Sequence, residues 1–323
     1  VASGGQFQSA QSYLIWDPAD PDATTGVYKG VTYNKVHNAT GNIKVLKEIL
    51  NWNENEFDSK YFDKTPFVAG DIETLSHAGV HAEYLSTLKE LKSEIQAYLN
   101  WAQPQLDAGK AEGEITLFST PNLHIFQTYY GGLRPNAEKT SWIYGSYDLV
   151  KQFVEGGQDL KGWLEDQGAI FDNSIQPIIV GALWNRENDF KGSDLDGDGT
   201  PDPDGKNVKG KTVYNTYFAT TRKTLLETVA NHADNEIMLR TKVTELITDK
   251  DGKVVGVKGE QYDGTPVTIH AKKGVVLATG GYAADIKRVM ETNDYWADGD
   301  ITTNTRTTNR SSLVGSGIDM AEA

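Results

Sequence analysis

Between positions 194 and 204 the chain reads Asp194-Leu195-Asp196-Gly197-Asp198-Gly199-Thr200-Pro201-Asp202-Pro203-Asp204. Carboxylates at the first, third and fifth places, glycine at the sixth, a carbonyl at the seventh and a carboxylate at the ninth give the ligand order of a calcium loop, because this hard cation takes an irregular cage of oxygens. The expected Ca2+ ligands are Asp194, Asp196, Asp198, Thr200 and Asp202. The twelfth place, where a bidentate glutamate normally closes the cage, holds Gly205, so Asp204 substitutes. The plain alternative is a solvated acidic turn. Lying between Trp184-Asn185-Arg186 and a helix expected from position 213, the ion would be structural rather than catalytic. His77 and His81 stand four apart, a spacing that puts two imidazoles on one helical face as zinc ligands. The glutamate of a metalloprotease helix is missing, and surface or packing histidines are the expectation there.

A second kind of chemistry lies in backbone rather than side chains. Lys272-Lys273-Gly274-Val275-Val276-Leu277-Ala278-Thr279-Gly280-Gly281 is a short apolar run ending in a glycine pair. It predicts a strand buried on both faces, as in a parallel sheet, with glycines at its carboxyl end that let a ligand approach the backbone. Ala2-Ser3-Gly4-Gly5 is a similar turn at the start of the chain. Gly315-Ser316-Gly317 gains meaning only from its place after that strand and turn. The aromatic residues Phe126, Tyr129, Tyr130, Trp142, Tyr144 and Tyr147 read first as core, with a ring-lining role as the alternative. Asn185-Arg186 is a candidate for gripping a carboxylate, against the commoner surface ion pair.

The elements that must hold these groups are clearest in the C-terminal third. A helical pattern from about Val213 to His232 has Phe218, Leu225, Leu226 and Val229 on one face. Residues 236–270 read as a β-meander, with turns at Asp251-Gly252 and Asp263-Gly264. Leu85, Leu88, Leu91, Ile95 and Leu99 mark a long amphipathic helix from about Ile72 to Ala108. Ala2–Gln11 and Asp148–Gly168 are shorter helical candidates. Residues 16–70 carry Pro, Asn, Asp and Gly in quantity and look like an elaborated excursion.

Bulk properties bound the rest. The chain has 323 residues, 38% of them hydrophobic, which suffices for a substantial core. A formal charge of −14 and a mean hydropathy of −0.49 describe an acidic surface, which repels nucleic acid, so no nucleic-acid partner is expected. No run approaches the roughly 20 apolar residues of a transmembrane helix. Cysteine is absent, which excludes disulfides and thiolate metal sites here. A thiol-free chain suits export at least as well as the cytosol, and an extracytoplasmic location is the expectation. Both ends read as cut: the chain opens Val1-Ala2-Ser3 and closes inside a helical pattern at Met320-Ala321-Glu322-Ala323.

Thr241-Lys242-Val243, Ala278-Thr279-Gly280-Gly281-Tyr282, Thr307-Thr308-Asn309 and Gly315-Ser316-Gly317-Ile318-Asp319-Met320-Ala321 resemble, in order and spacing, the FAD-binding domain of the fumarate reductase and urocanate reductase family. Ala2-Ser3-Gly4-Gly5 with Gln8-Ser9-Ala10 resembles the family's turn along the FAD pyrophosphate, and Phe126-Gln127-Thr128 and Trp163-Leu164-Glu165 its following helices. The resemblance covers residues 1–12 and 121–323. It implies an α/β fold, a Rossmann-like FAD/NAD(P)-binding domain with a β-meander. It assigns 1–15 and 121–323 to a partial FAD-binding domain and 16–120 to a largely helical insertion. Cofactor contacts are implied for Ala2, Ser3, Gly4, Gly5, Val243, Ala278, Thr279, Gly280, Gly281 and Ser316. FAD suits such groups, its pyrophosphate favouring backbone N–H donors and its ring edge accepting from backbone and hydroxyls.

Three departures qualify the resemblance. The family's first βαβ unit, with its glycine-rich dinucleotide turn, would lie upstream of Val1, and Ser316 stands where the family has an aspartate. The family's substrate-binding and proton-delivering residues belong to a capping domain downstream of Ala323, so the chain carries no catalytic residue of its own. The resemblance implies that the intact protein passes hydride from reduced FAD to an activated alkene in a small unsaturated acid, with an unspecified electron donor. It further implies that this segment alone binds FAD weakly or not at all and lacks reductase activity. The alternatives are an oxidase or dehydrogenase of the same superfamily, and a calcium-stabilised extracellular binding module on a flavoprotein scaffold.

Overall fold

The structure is a computed structural model describing residues 7–37, 40–55, 80–132, 134–135, 142–143, 145–166, 168–178, 184–194, 200, 206–208, 211–213, 236–293 and 299–323. These fall into two compact units, one drawn from residues 5–226 and the other from 227–323. The expected helix at 213–232 lies outside the described residues, apart from Val213, which ends a short strand.

The larger unit is organised by three helices: α1 (Asn42–Leu50), α2 (Leu85–Asp107) and α3 (Pro121–Gly131). The apolar face of α2 repeats at helical spacing, and Leu88, Leu91, Ile95, Leu99 and Ala102 are all buried along it. They pack with Ile43, Leu46 and Ile49 of α1 and with Leu123, Phe126, Tyr129 and Tyr130 of α3 in one core. α2 starts later than its sequence pattern predicts. His81 is extended (φ −72°, ψ 141°), which a helix cannot pass through, and a 3₁₀ turn at Ala82–Tyr84 leads into Leu85. Residues 72–79 lie outside the described set.

At the start of α3, Thr120 Oγ1 accepts a hydrogen bond from the Leu123 N–H at 3.2 Å, and Pro121 occupies the first helical position, where its missing donor costs nothing. Glu94 of α2 completes the joint, accepting from Thr120 Oγ1 at 2.7 Å and from Asn122 Nδ2 at 2.8 Å. Burial raises the Glu94 carboxyl above its ordinary range, while those two bonds act against the rise. The rings of α3 belong to the core, as expected: Trp52 lies edge-on to Phe126 at 4.9 Å.

Helix α4 (Tyr147–Asp166) matches the helix expected at 148–168. A hairpin of β1 (Thr25–Tyr28) and β2 (Val31–Asn34) packs its tyrosines over the end of α4. There Lys161 is only 1% exposed, with its ammonium 4.8 Å from the Tyr28 ring and 5.1 Å from that of Phe171. Glu165 meets it, bonded also by the Tyr28 hydroxyl at 2.5 Å and Asn173 Nδ2 at 3.1 Å. Two short hairpins, β3 (Arg134–Pro135) with β4 (Trp142–Ile143) and β7 (Lys206–Val208) with β8 (Lys211–Val213), are antiparallel, as is β5 (Ala169–Phe171) with β6 (Phe190–Ser193). The helix expected at Ala2–Gln11 does not form over its described part: Gln8 bridges antiparallel to Glu187, and the N–H of Asn188 donates to the Phe7 carbonyl at 2.9 Å.

The smaller unit contains the predicted meander, with β9 (Thr241–Thr248), β10 (Val254–Gln261) and β11 (Pro266–His270) in the order β11-β10-β9. Its turns are set by carboxylates as much as by glycine. Asp249 Oδ1 accepts from the N–H groups of Asp251 and Lys253, each at 3.0 Å, and Gly252 supplies a positive φ of 79°. Two helices follow, α5 (Ile286–Glu291) and α6 (Ser316–Glu322), the latter packed on β9. The expectation of a strand buried on both faces at 272–281 fails. This run forms no regular element, no strand among the described residues pairs with it, and Val276 is 90% exposed. All sheets of the described residues are antiparallel. An apolar run becomes a buried parallel strand only where hydrogen-bonding neighbours flank it.

Candidate functional site

In the smaller unit the turn Thr279-Gly280-Gly281 is seated against the start of α6. The Gly315 N–H donates to the Gly281 carbonyl at 3.1 Å, and the Ala284 N–H to the Leu313 carbonyl at 3.0 Å. The fit leaves no room for side chains. A Cβ on Gly317 would fall 1.9 Å from Thr279 Oγ1. Gly280 has φ +76°, and a Cβ there would lie 2.5 Å from Leu313 Cδ2. Gly281 differs, since a Cβ would meet nothing within 4 Å, so its open side is where a ligand can approach the main chain. A cavity of about 310 Å³ opens here, lined by Leu277, Thr279, Gly280, Gly317, Ile318 and Ala321 among others. Arg288 ties α5 to α6 through Asp319 at 2.6 Å.

Of the residues singled out in the sequence, Thr279, Gly280, Gly281 and Ser316 are thus brought together, with Ala278 leading into the turn and Ser316 exposed at the first position of α6. Val243 lies half-buried on β9, opposite Gly259, in the strand against which α6 packs. A larger cleft of about 890 Å³ sits beside it, lined by Arg240, Thr241, Lys242, Thr244, Glu260 and Tyr262 among others. Ala2, Ser3, Gly4 and Gly5 lie outside the described residues, as do Asp196, Asp198 and Asp202. Asp194 follows β6 with its N–H bonded to the Gly168 carbonyl at 2.8 Å, and Thr200 is exposed. Among the described residues there is no group of three side chains able to hold a metal ion. His77 is outside the described set, and His81 Nδ1 lies 3.3 Å from Glu83 Oε1.

The larger unit contains a buried polar cluster. Residues 184–188 run alongside 7–9: the Ser9 N–H donates to the Arg186 carbonyl at 3.0 Å, and Asn188 Nδ2 to the Ser9 carbonyl at 2.9 Å. This pairing turns Arg186 inward, where it is 2% exposed, so the surface ion pair weighed for it is ruled out. Its Nη2 donates to Gln127 Oε1 of α3. Its Nε is buried without a partner among the described residues. Burial pushes the guanidinium down to about 9. One turn earlier on the same face of α3, His124 is 6% exposed with Nδ1 unpartnered. Burial first, and then the Arg186 charge, pushes the imidazole down to about 3, which keeps it neutral. Sequence reasoning gave His124 no role and took Gln127 only as part of the resemblance. Their signal was a pair of polar residues three apart in a run from Leu123 to Tyr130 whose other members, apart from the exposed Thr128, are apolar or aromatic.

The chain belongs to the FAD binding domain family, whose model matches residues 101–323. The turn described above suits that cofactor, with main-chain groups exposed at Thr279 and Gly281 and open space where a Gly281 side chain would stand. The chain is 33% identical over 274 residues to the NADH:acrylate oxidoreductase of Vibrio harveyi, a match covering 83% of this chain and 24% of that protein. It therefore spans about a quarter of that relative's length. Among solved structures it is similar to the 3-ketosteroid-delta4-(5alpha)-dehydrogenase of Rhodococcus jostii RHA1, solved with 4-androstene-3,17-dione (TM-score 0.40, 20% identity, 64% of this chain and 41% of that one). It is also similar to the open conformation of a flavocytochrome c3 fumarate reductase (TM-score 0.41, 19% identity, 68% and 31%). No helix among the described residues is long and apolar enough to cross a membrane.

Proposed function

We propose that this chain is the FAD-binding part of a flavin-dependent reductase whose substrate is the activated double bond of a small unsaturated acid. The observation that carries the reading is the Thr279-Gly280-Gly281 turn packed against Gly315-Ser316-Gly317 within the segment that matches the FAD binding domain family. The similarity to an acrylate oxidoreductase supports the substrate class. Bound FAD supplies a two-electron carrier able to deliver hydride to an electron-poor alkene carbon. The residues of this chain bind and orient it: Thr279 offers a hydroxyl, the Gly281 backbone an open approach, Ser316 a polar group at the α6 terminus, and Val243 an apolar strand position. In this reading 1–15 and 121–323 form the cofactor-binding domain and 16–120 an insertion. The family match leaves residues 1–100 outside it, although α1 and α2 share one core with α3.

The test is made on the full-length protein. It should purify with flavin absorbance and, given a reduced dye as donor, consume acrylate, fumarate or urocanate. A flavin-loaded protein that instead takes up oxygen while oxidising saturated substrates would move it to the oxidases and dehydrogenases. A well-folded protein that cannot be reconstituted with FAD would end the flavoprotein reading.

A further inference from the structure

We propose that the outward face of α4 is a docking surface for a second copy of this chain, the two helices pairing antiparallel. Along α4, Leu149, Phe153, Gly156, Leu160 and Trp163 follow one another at steps of four, three, four and three residues. That alternation keeps all five on one stripe, about 21 Å long, and it is the spacing by which helices pack against helices. In a helix that only closes its own chain's core, such a stripe faces inward. Here it faces out: Leu149, Phe153, Leu160 and Trp163 are 66%, 68%, 41% and 49% exposed, while Val154 and Lys161 are the residues of α4 buried in the body. Large apolar side chains present roughly 150–250 Å² each, so at these exposures the four offer on the order of 450 Å². A patch of about 300–600 Å² is the largest on a typical monomer and is often functional.

The stripe is built to meet itself. Leu149 stands seven residues before Gly156 and Trp163 seven after it. Across a two-fold axis at Gly156, Leu149 therefore meets the partner's Trp163 and Phe153 meets the partner's Leu160, as an isologous interface requires. Opposed helix dipoles favour this direction. Gly156 is followed by Gly157, although glycine is a poor residue for a helix interior. Nothing among the described residues requires the pair, since a Cβ on either would meet no atom within 4 Å. What they permit is the close approach of a second backbone. Charge does not oppose the pairing, despite the net −14 of the chain. Asp159, at the edge of the stripe, comes opposite the partner's Gln152, whose amide can donate to it, and Lys151 and Glu155 pair with one another off the stripe at 3.9 Å. Two copies bring together on the order of 900 Å² of apolar surface, which the edge residues raise toward the roughly 1,200 Å² of the smallest stable interfaces. The dimer is accordingly reversible.

Full-length protein is followed by sedimentation equilibrium from nanomolar to high micromolar concentration, as wild type, Phe153→Glu and Gly156→Leu, with melting temperatures measured in parallel. Wild type should pass from monomer to dimer as concentration rises. Phe153→Glu should dimerise roughly tenfold more weakly or worse. Gly156→Leu fills open space in the single chain, so it should melt no lower than wild type and still dimerise severalfold more weakly. Gly156→Cys places a thiol at the axis in a segment that has no cysteine of its own. Mild oxidation should link it as a dimer, and should not link Lys151→Cys, which lies off the stripe. Should Phe153→Glu fail to fold, Gly156→Leu and the cross-linking decide. A wild type that stays monomeric throughout overturns the proposal, as does a dimer that both substitutions leave unchanged. Loss of a different, co-purifying protein from the folded variants also overturns it, by giving the stripe to another partner. These readings are independent of the flavin reading, which is recorded in the flavin absorbance of wild type.

Discussion

Gly317 and Thr279 are so closely opposed that a single methyl on the glycine would fall 1.9 Å from the threonine Oγ1 and 2.9 Å from its Cβ. Neither can move without shifting α6 against the turn that precedes it. Gly317→Ala should therefore separate the helix from the turn and lower FAD occupancy of the full-length protein, read as flavin absorbance per protein. Adding Thr279→Ala removes the Oγ1 conflict but not the one with Cβ, so occupancy should recover only in part. Full occupancy in Gly317→Ala alone would show that this contact does not shape the cofactor site.

Gly281 gives the complementary test. Because a Cβ there meets nothing within 4 Å, Gly281→Ala should leave the melting temperature of the flavin-free protein within about 0.5 kcal/mol-equivalent of wild type, the ordinary range for a surface change. If the cofactor lies along this open side, the same methyl weakens FAD binding. Gly280→Ala should differ, destabilising even the flavin-free protein, because the residue has φ +76° and the methyl meets Leu313. Apoprotein melting and FAD titration of the two variants separate packing from binding.

The parts of this fold that were legible in the sequence are those where one local rule acted alone. Leu88, Leu91, Ile95 and Leu99 lie at helical spacing and face one core, and the meander turns fall at Asp251-Gly252 and Asp263-Gly264, where turn chemistry is explicit. Residues whose setting depends on distant segments were not legible. Lys161 is buried and Trp163 half-exposed, the reverse of what their types suggest, because Tyr13, Tyr28 and Phe171 come from elsewhere to surround the lysine. Arg186 looked like a surface charge for the same reason: only its pairing with residues 7–9 turns it inward. Val276 misled in the other direction, since apolar character states a preference for burial and does not supply the neighbouring strand.

Lys161 and Glu165 allow the buried pair to be tested as a unit. Burial alone would raise the Glu165 carboxyl, but bonds from Lys161, Tyr28 and Asn173 outweigh it and hold the group below its ordinary 4.5. A carboxylate with a lowered folded value stabilises above the unfolded value, and that contribution is lost as pH falls below 4.5. Glu165→Ala leaves Lys161 buried and unpaired, which should cost about 3 kcal/mol at neutral pH. Lys161→Met together with Glu165→Gln should cost much less, since no charge is then stranded. Denaturant unfolding of the three proteins measures the difference, and equal losses in the single and double variants would mean that the pair is not coupled.

His124 gives a pH prediction whose sign follows from its burial. In the folded protein the imidazole is pushed down to about 3, against an ordinary 6.5. Below pH 6.5 the unfolded chain gains a proton that the folded protein refuses until about pH 3, so stability should fall on acidification across this window and be unaffected by His124 above it. The loss is on the order of a few kcal/mol when fully developed. It should already be visible between pH 6.5 and 5, before Glu165 begins to titrate. His124→Asn removes the titrating group while keeping a polar side chain, so its stability should depend less on pH than wild type over that interval. Chemical denaturation at closely spaced pH values makes the comparison. Parallel pH profiles for wild type and His124→Asn would place the imidazole in contact with water, and its burial beside Arg186 would then have to be abandoned.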